Sequence, residues 1–458
     1  MYSSQCSNFS GNWNNGDNAG TFQLNVNNTT SNSNSNLGCQ QMFNFLSWII
    51  LVTQGNLGNR VYHKWYNSCL ATWQNIKNIQ TVLVSPIMGF ESSVRKTSIK
   101  REYFMKRVGN IYEKIYDMDN LKAAHKNARK DKSYYAEVQM VDSDPEFYLT
   151  KIQNILKNHT YYVQESDYTI SKINDKGKER ELWKLPYFPH RIIQWAIMLQ
   201  IEPIFNQVFT DFTCASLPNR GIHKVRYMLK NYLKDTENTK YCLKIDIHHF
   251  YPSIDHSILK KMLRKKFKDE KLLSLFDMII DSHPGKGIPI GSYLSQYFAN
   301  FYLAYFDHWL KEELHLKYVI RYMDDVVILH SSKEYLHFAV RKIIDYLTNT
   351  LNVEIKSNWQ VFPSNVRGID FVGYRFFNNF ILLRKKCCKR FKQAMRSIKK
   401  KWDKGKRISF RQFCTVNSYR GWLKWCDSYR LSQKYLTPVI PAVEDYYWNT
   451  IKRKVVKA

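Results

Sequence analysis

The run Tyr318-Val-Ile-Arg-Tyr-Met-Asp-Asp-Val-Val-Ile-Leu-His330 constrains the fold more than any other stretch of the chain. β-Branched and aromatic residues flank Tyr322, Met323, Asp324 and Asp325 on both sides, which predicts two short strands joined at a tight polar tip. An Asp pair often does no more than favour a turn. Between apolar strands, however, two carboxylates at about 4 Å repel by about 1 to 4 kcal/mol, depending on the effective dielectric, so the pair calls for a cation. A divalent metal ion would supply it.

A third carboxylate lies upstream in Tyr241-Cys-Leu-Lys-Ile-Asp-Ile-His-His-Phe-Tyr-Pro-Ser-Ile-Asp255. Asp246 follows Leu243 and Ile245 at strand spacing, which predicts that it ends a buried strand. Hard cations take oxygen ligands, and a two-metal phosphoryl-transfer site needs carboxylates that clamp ions about 3.5 to 4 Å apart. Asp246, Asp324 and Asp325 are the candidate ligands and catalytic acids. Each alone is more often structural; together they point to catalysis.

With further motifs in the same order, these residues resemble the palm of reverse transcriptases, whose signature is Tyr-x-Asp-Asp preceded by an Asp-bearing strand. The resemblance covers roughly residues 100 to 431. It implies an α+β right-hand polymerase: fingers over 91–240, a palm with an antiparallel sheet and the Asp-Asp hairpin over 241–383, a helical insertion near 256–290, and a helical thumb over 384–458. It further implies RNA-templated DNA synthesis from a DNA or RNA primer with deoxynucleoside triphosphates. Two Mg2+ ions, replaceable by Mn2+, would be held by Asp246 and Asp324 with Asp325 as the third acid, beside Tyr322 and Met323.

The other site candidates come from the same resemblance. Leu185-Pro-Tyr-Phe-Pro-His-Arg191, leading into an amphipathic helix through Phe205, matches the fingers, where Arg191 opens a buried helix. In Phe212-Thr-Cys-Ala-Ser-Leu-Pro-Asn-Arg-Gly221, Arg220 is the candidate contact to the incoming triphosphate, because a planar guanidinium makes bidentate bonds to phosphate oxygens. The residue before that proline, often basic in the family, is Leu217. Tyr251 falls where a ring beneath the sugar would clash with a ribose 2′-hydroxyl. Gly291 and Ser292 are small enough to let backbone approach a base pair. Lys356, in Leu351-Asn-Val-Glu-Ile-Lys-Ser-Asn358, is a candidate proton donor to the leaving pyrophosphate. Gly368-Ile-Asp-Phe-Val-Gly-Tyr374 resembles the hairpin that grips the primer.

Most reverse transcriptases carry Gln before that first glycine and Ser-Pro four residues beyond it; this chain has Ile290, and Ser295 followed by Gln296. The substitution resembles diversity-generating retroelements, which copy a template repeat with errors at adenines. The alternatives are a group II intron-like or defence-associated reverse transcriptase, or an RNA-binding protein on a catalytically dead polymerase fold.

Composition bounds the partners. A formal charge of +30 is far more than solubility needs and implies a polyanion. The longest apolar run, Met42 to Val52, is too short to span a bilayer, so no membrane partner is expected. Nine cysteines without a Cys-x-x-Cys pair read as reduced thiols of a cytoplasmic protein. The thumb is expected to begin with a basic helix carrying the apolar stripe Phe391, Met395, Ile398 and Trp402. Ser418-Tyr-Arg-Gly-Trp-Leu-Lys-Trp425 resembles the thumb end of group II intron and retroelement enzymes, and the residues beyond it are too few for a nuclease domain, so none is expected.

Residues 1–90 stand apart. Asn crowds the stretch from Asn8 to Gly38 with almost no charge, a composition expected to be disordered and outside the enzyme. Asn codons begin with two adenines, so the segment resembles the translated template repeat of a diversity-generating retroelement, read through from upstream of a start at Met88 or Met105. By resemblance, a small basic helical accessory protein is an expected partner.

Overall fold

The structure is a computed structural model that describes residues 106–175 and 178–452. The expectations for residues 1–90, and both candidate starts, lie outside the described residues.

A helical segment leads into the first sheet. Helix α1 (Met118–Ala128) begins where the Asp117 carboxylate accepts from the Asp119 and Asn120 N–H groups, a cap worth about 1 kcal/mol. It buries Leu121, Ala124 and Ala128 and leaves Lys122 and Lys126 exposed, giving a basic outer face. Helix α2 (Ala136–Ser143) precedes α3 (Pro145–Lys157), which starts on an Asp144 cap with proline in its first turn. Strands β1 (Thr169–Asp175) and β2 (Lys178–Lys184) then form an antiparallel hairpin.

Helix α4 (Ile192–Val208) differs from the amphipathic helix expected through Phe205. Ile192, Ile193, Ala196, Ile197, Met198, Ile201, Phe205 and Val208 are all buried, so its first half is enclosed on nearly every side, and only Pro203 and Gln207 in its second half are exposed. Helix α5 (Ile222–Tyr232) follows and packs on the edge of the main sheet.

That sheet has four antiparallel strands in the order β4-β5-β3-β6: β3 (Tyr241–Asp246), β4 (Tyr318–Tyr322), β5 (Asp325–His330) and β6 (Gln360–Pro363). Between β3 and β4 come a single turn α6 (Phe250–Ser253) and the helices α7 (His256–Lys266), α8 (Glu270–Asp281), α9 (Tyr293–Tyr302) and α10 (Ala304–Glu312). Helix α11 (Lys333–Leu351) covers the sheet, burying Leu336, Ala339, Val340, Ile343 and Leu347. Burial on both faces explains why β4 and β5 read as continuous apolar runs rather than alternating ones.

The segment expected as a glycine-bearing hairpin is a three-stranded meander: β7 (Ile369–Phe371), β8 (Tyr374–Phe376) and β9 (Ile381–Leu383). Helix α12 (Lys385–Trp402) buries Phe391, Met395 and Ile398 and presents Lys389, Arg396, Lys399 and Lys400 to solvent. Each such apolar side chain contributes about 1.5 to 3 kcal/mol. Helices α13 (Phe410–Leu423) and α14 (Tyr429–Tyr435) complete the region. Tyr374 of β8 stacks on Trp422 of α13 at 5.5 Å, and its hydroxyl donates to the Trp422 carbonyl at 3.0 Å. Among the described residues no helix is long and apolar enough to cross a membrane, and six cysteines are free thiols.

Candidate active site

The hairpin tip between β4 and β5 consists of Met323 and Asp324 alone. Met323 has φ of 57°, a left-handed conformation that glycine adopts more readily and that costs other residues of order 1 kcal/mol or more. A buried network holds it. Arg321, wholly buried, binds Asp307 of α10 through two parallel bonds, Nε to Oδ1 at 2.7 Å and Nη2 to Oδ2 at 2.6 Å. Its Nη1 donates to the Met323 carbonyl at 3.0 Å and to Asn300 Oδ1 at 3.2 Å. The Thr213 hydroxyl donates to Asp307 Oδ2 at 2.8 Å, and Asn300 Nδ2 to the Ala215 carbonyl at 2.9 Å. The tip is therefore fixed from beneath by α9, α10 and the loop before Arg220.

Strand pairing brings the three acids together. Asp246 lies opposite Asp325 in the β3–β5 ladder, and the Ile247 N–H donates to the Asp324 carbonyl at 3.1 Å. Opposite residues of an antiparallel pair have Cβ atoms about 4.5 to 5.5 Å apart, and like charges there repel. Burial pushes the Asp325 carboxyl up to about 6, Asp246 and Asp324 adding to the shift while Lys244 and Lys356 oppose it. Burial likewise raises Asp324, with Asp246 adding and Lys356 and Arg180 opposing.

No three acidic, His or Cys side chains among the described residues form a ready-made cage for one ion. Instead the Lys356 ammonium pairs with the Asp246 carboxylate. A cage is not what Mg2+ requires: it keeps several waters and is bound through one or two carboxylates plus substrate phosphates. An all-oxygen set of neighbouring carboxylates, two of them raised by burial with mutual repulsion adding, matches a hard divalent cation in donor chemistry.

Tyr251, in the turn α6, sits against the tip, its hydroxyl 3.7 Å from Met323 Sδ; burial raises its phenol, and the Asp324 charge adds to the shift. The turn is held by the loop after α8, where the Ile288 N–H donates to the Tyr251 carbonyl at 3.1 Å. Gly287, at φ of 92°, admits that approach: a Cβ there would lie 2.7 Å from Pro252 Cα. At Gly291, φ of 130°, the close neighbour is the Trp183 carbonyl of β2, 2.8 Å from where a Cβ would be, and Trp183 N–H donates to the Ile290 carbonyl at 2.9 Å. Within the chain itself, what the glycine admits is the backbone of the β1–β2 hairpin. Ser292 caps α9 and donates to Gln194 Oε1 at 3.1 Å; Gln296 lies half-buried one turn on.

Two arginines singled out from sequence are engaged with backbone. Arg220 Nη1 donates to the Thr210 and Thr213 carbonyls, both at 2.7 Å, stiffening the loop that supports Asp307. Arg191 Nε donates to the Ala128 carbonyl at 3.3 Å at the end of α1, where burial lowers its pKa.

Three other residues escaped the sequence reading. Arg321 had a signal, since a charge inside an apolar strand must be paired. Lys244, two residues before Asp246 and so on the same strand face, acts on Asp325 and donates to the Asp370 carbonyl at 3.0 Å. Arg180, exposed on β2, acts on Asp324 and Tyr251; only the folding back of the hairpin brings it there, which no local pattern reveals.

Residues 170–376 match the family described as reverse transcriptase (RNA-dependent DNA polymerase). The protein YkfC of Escherichia coli is 24% identical over 223 residues, covering 45% of this chain and 51% of that protein. The group II intron-encoded protein LtrA of Lactococcus lactis subsp. cremoris is 27% identical over 240 residues, covering 50% of this chain and 39% of that one. The chain thus spans about half the length, or less, of these curated relatives. Among solved structures, telomerase from Candida albicans in complex with a fragment of telomeric RNA aligns with a TM-score of 0.38 at 11% identity, covering 60% of this chain and 59% of that one.

Proposed function

We propose that the reverse transcriptase domain carried by residues 170–376 makes DNA on an RNA template by extending a DNA or RNA primer with deoxynucleoside triphosphates. The observation that carries this reading is the pairing of Asp246 with Asp325 across β3 and β5, with Asp324 at the tip between β4 and β5. Carboxylates whose burial raises two of them are a liability unless a cation is meant to join them. Asp246, Asp324 and Asp325 would hold two divalent ions, Mg2+ or in its place Mn2+, which when bound neutralise charge on the attacking and leaving oxygens.

The remaining roles belong to the chain's own side chains. Arg321 and Asp307 hold the tip so that Asp324 and Asp325 keep their spacing. Tyr251 would lie beneath the sugar and exclude a 2′-hydroxyl, with Gly291 and Gln296 at the nascent base pair. Arg180 and Arg220 would bind the triphosphate, Arg220 through the donors its backbone bonds leave over, and Lys356 would protonate the pyrophosphate as it leaves. In this reading the fingers are 91–240, the palm 241–383 and the thumb 384–458, with α12 following the template–primer duplex.

Within this class we read the enzyme as the diversity-generating type, error-prone at template adenines, working in the cytoplasm with a small basic helical accessory protein. Ile290, Gln296 and the Asn-rich stretch from Asn8 to Gly38 support that subtype. Similarity to LtrA favours a second reading, a group II intron-like enzyme. Primer extension on RNA and DNA templates, followed by sequencing of the product, tests both. The proposal expects RNA-templated DNA, lost in the Asp324→Ala, Asp325→Ala double variant, with substitutions concentrated opposite adenines. Accurate copying would leave the intron-like reading; no RNA-templated product at all would defeat both.

A further inference from the structure

Lys356 is fixed by backbone beside the acid it pairs with. Its segment runs along the end of β3: Ile355 bridges Ile247, the Lys356 N–H donates to the Asp246 carbonyl at 2.8 Å, and the Glu354 carbonyl accepts from the His248 N–H at 2.7 Å. From that anchor the side chain turns back so that its ammonium meets the Asp246 carboxylate. The two side chains are 25% and 31% exposed, so the ammonium has a route to solvent that breaks none of these backbone bonds. Its charge reaches Asp324 and Asp325 as well.

We propose that Lys356 is a resident counter-ion that competes with divalent cations for the Asp246 carboxylate and thereby sets the metal affinity of the site. The inference rests on the reading of Asp246, Asp324 and Asp325 as metal ligands. An ammonium seated on a carboxylate oxygen and a divalent ion bound to the same oxygen repel strongly at contact distance. Loading therefore requires the lysine to leave, and its pairing energy is subtracted from the affinity for metal. In return, the metal-free protein is spared part of the repulsion among three neighbouring carboxylates. A lysine suits the task because it is a compact charge on a flexible stem, whereas a guanidinium held by two bonds would leave less readily. The displaced ammonium remains tethered beside the site, where a triphosphate would meet it.

The test is Mn2+ binding by the full chain without nucleic acid or nucleotide, read by the electron paramagnetic resonance of free Mn2+, with the Mg2+-induced change in thermal midpoint as a second readout. Lys356→Met and Lys356→Gln are expected to bind Mn2+ about two- to fivefold more tightly than the unaltered protein, the range for a partly exposed ion pair, and to gain a larger Mg2+-induced rise in midpoint. Lys356→Arg should bind no more tightly than the unaltered protein, and Asp246→Asn should lose the site. If both neutral variants bind Mn2+ equally or more weakly while Asp246→Asn loses binding, the competition is refuted and the metal site stands. If Mn2+ binding does not depend on Asp246 at all, both the inference and the metal-ligand reading fall.

Discussion

Arg321 lies in the middle of an apolar strand, and its three nitrogens are shared among Asp307, Asn300 and the carbonyl of Met323. Removing one member of such a pair leaves a buried charge without a partner and costs about 3 to 5 kcal/mol, whereas replacing both with apolar residues costs far less. Arg321→Met is therefore expected to lose about 3 to 5 kcal/mol in urea unfolding, and Arg321→Met with Asp307→Leu to recover much of it; equal losses would mean the pair is not the source. Tyr251 makes a different demand, since its proposed effect is steric and needs the ring. Tyr251→Val should raise incorporation of ribonucleotides relative to deoxynucleotides about tenfold or more, measured by single-nucleotide addition, whereas unchanged selectivity would leave Tyr251 as packing beneath Met323. At this scale the sequence was legible where residue type and strand spacing set position, as for Asp246 and Asp325, which pair across β3 and β5, with Asp324 at the tip beside them. It was mute where a side chain's partner comes from elsewhere in the chain, as for Arg191 and the Ala128 carbonyl, 63 residues before it.

Strands β3 to β5 were readable because apolar runs bounded by polar tips have few alternatives, and α12 because its stripe recurs at helical spacing. Helix α4 is less amphipathic than its sequence suggests because its first half is buried on nearly every side, while Pro203 and Gln207 give only its second half an exposed strip. The expected hairpin is β7–β8, and it continues into β9, whose place is fixed by the Asp427 carboxylate 46 residues on, which accepts from the Ile381 N–H at 2.7 Å. Capping is the clearest local signal among the helices. Asp255 caps α7, accepting from the Ser257 hydroxyl at 2.7 Å, from the Ser257 and Ile258 N–H groups at 2.9 and 3.2 Å, and from Asn352 Nδ2 at 3.2 Å. The Ser257 hydroxyl bond foremost, with the backbone and Asn352 bonds, holds its carboxyl down to about 2 from an ordinary 3.8. A depressed folded-state value means the ionised cap contributes fully above about pH 4, and that contribution is lost as the pH falls toward 2. Asp255→Ala should cost about 1 kcal/mol at neutral pH in chemical unfolding, with the gap to the unaltered protein closing between about pH 4 and pH 2. A gap independent of pH would show that packing, not the ionised cap, is lost.

For the molecule as a whole, the formal charge of +30 and the two-sided burial of the β4-β5-β3-β6 sheet describe one arrangement: a rigid acidic tip set in a strongly basic chain. In the proposed function, basic surface would attract nucleic acid by releasing its counter-ions, and the acids at the tip, with cations and a nucleotide, would act on it. Binding and chemistry are thus assigned to different residues, and that separation can be measured. Single deoxynucleotide addition to a primed RNA template, timed from a preformed complex, is to be compared between the unaltered protein and Asp324→Asn, with the dissociation constant of the same template–primer determined for each. The account predicts a rate lower by about a thousandfold or more, with template–primer affinity changed by no more than about threefold, because the loss falls on the transition state alone. A rate within about tenfold of the unaltered protein would contradict it.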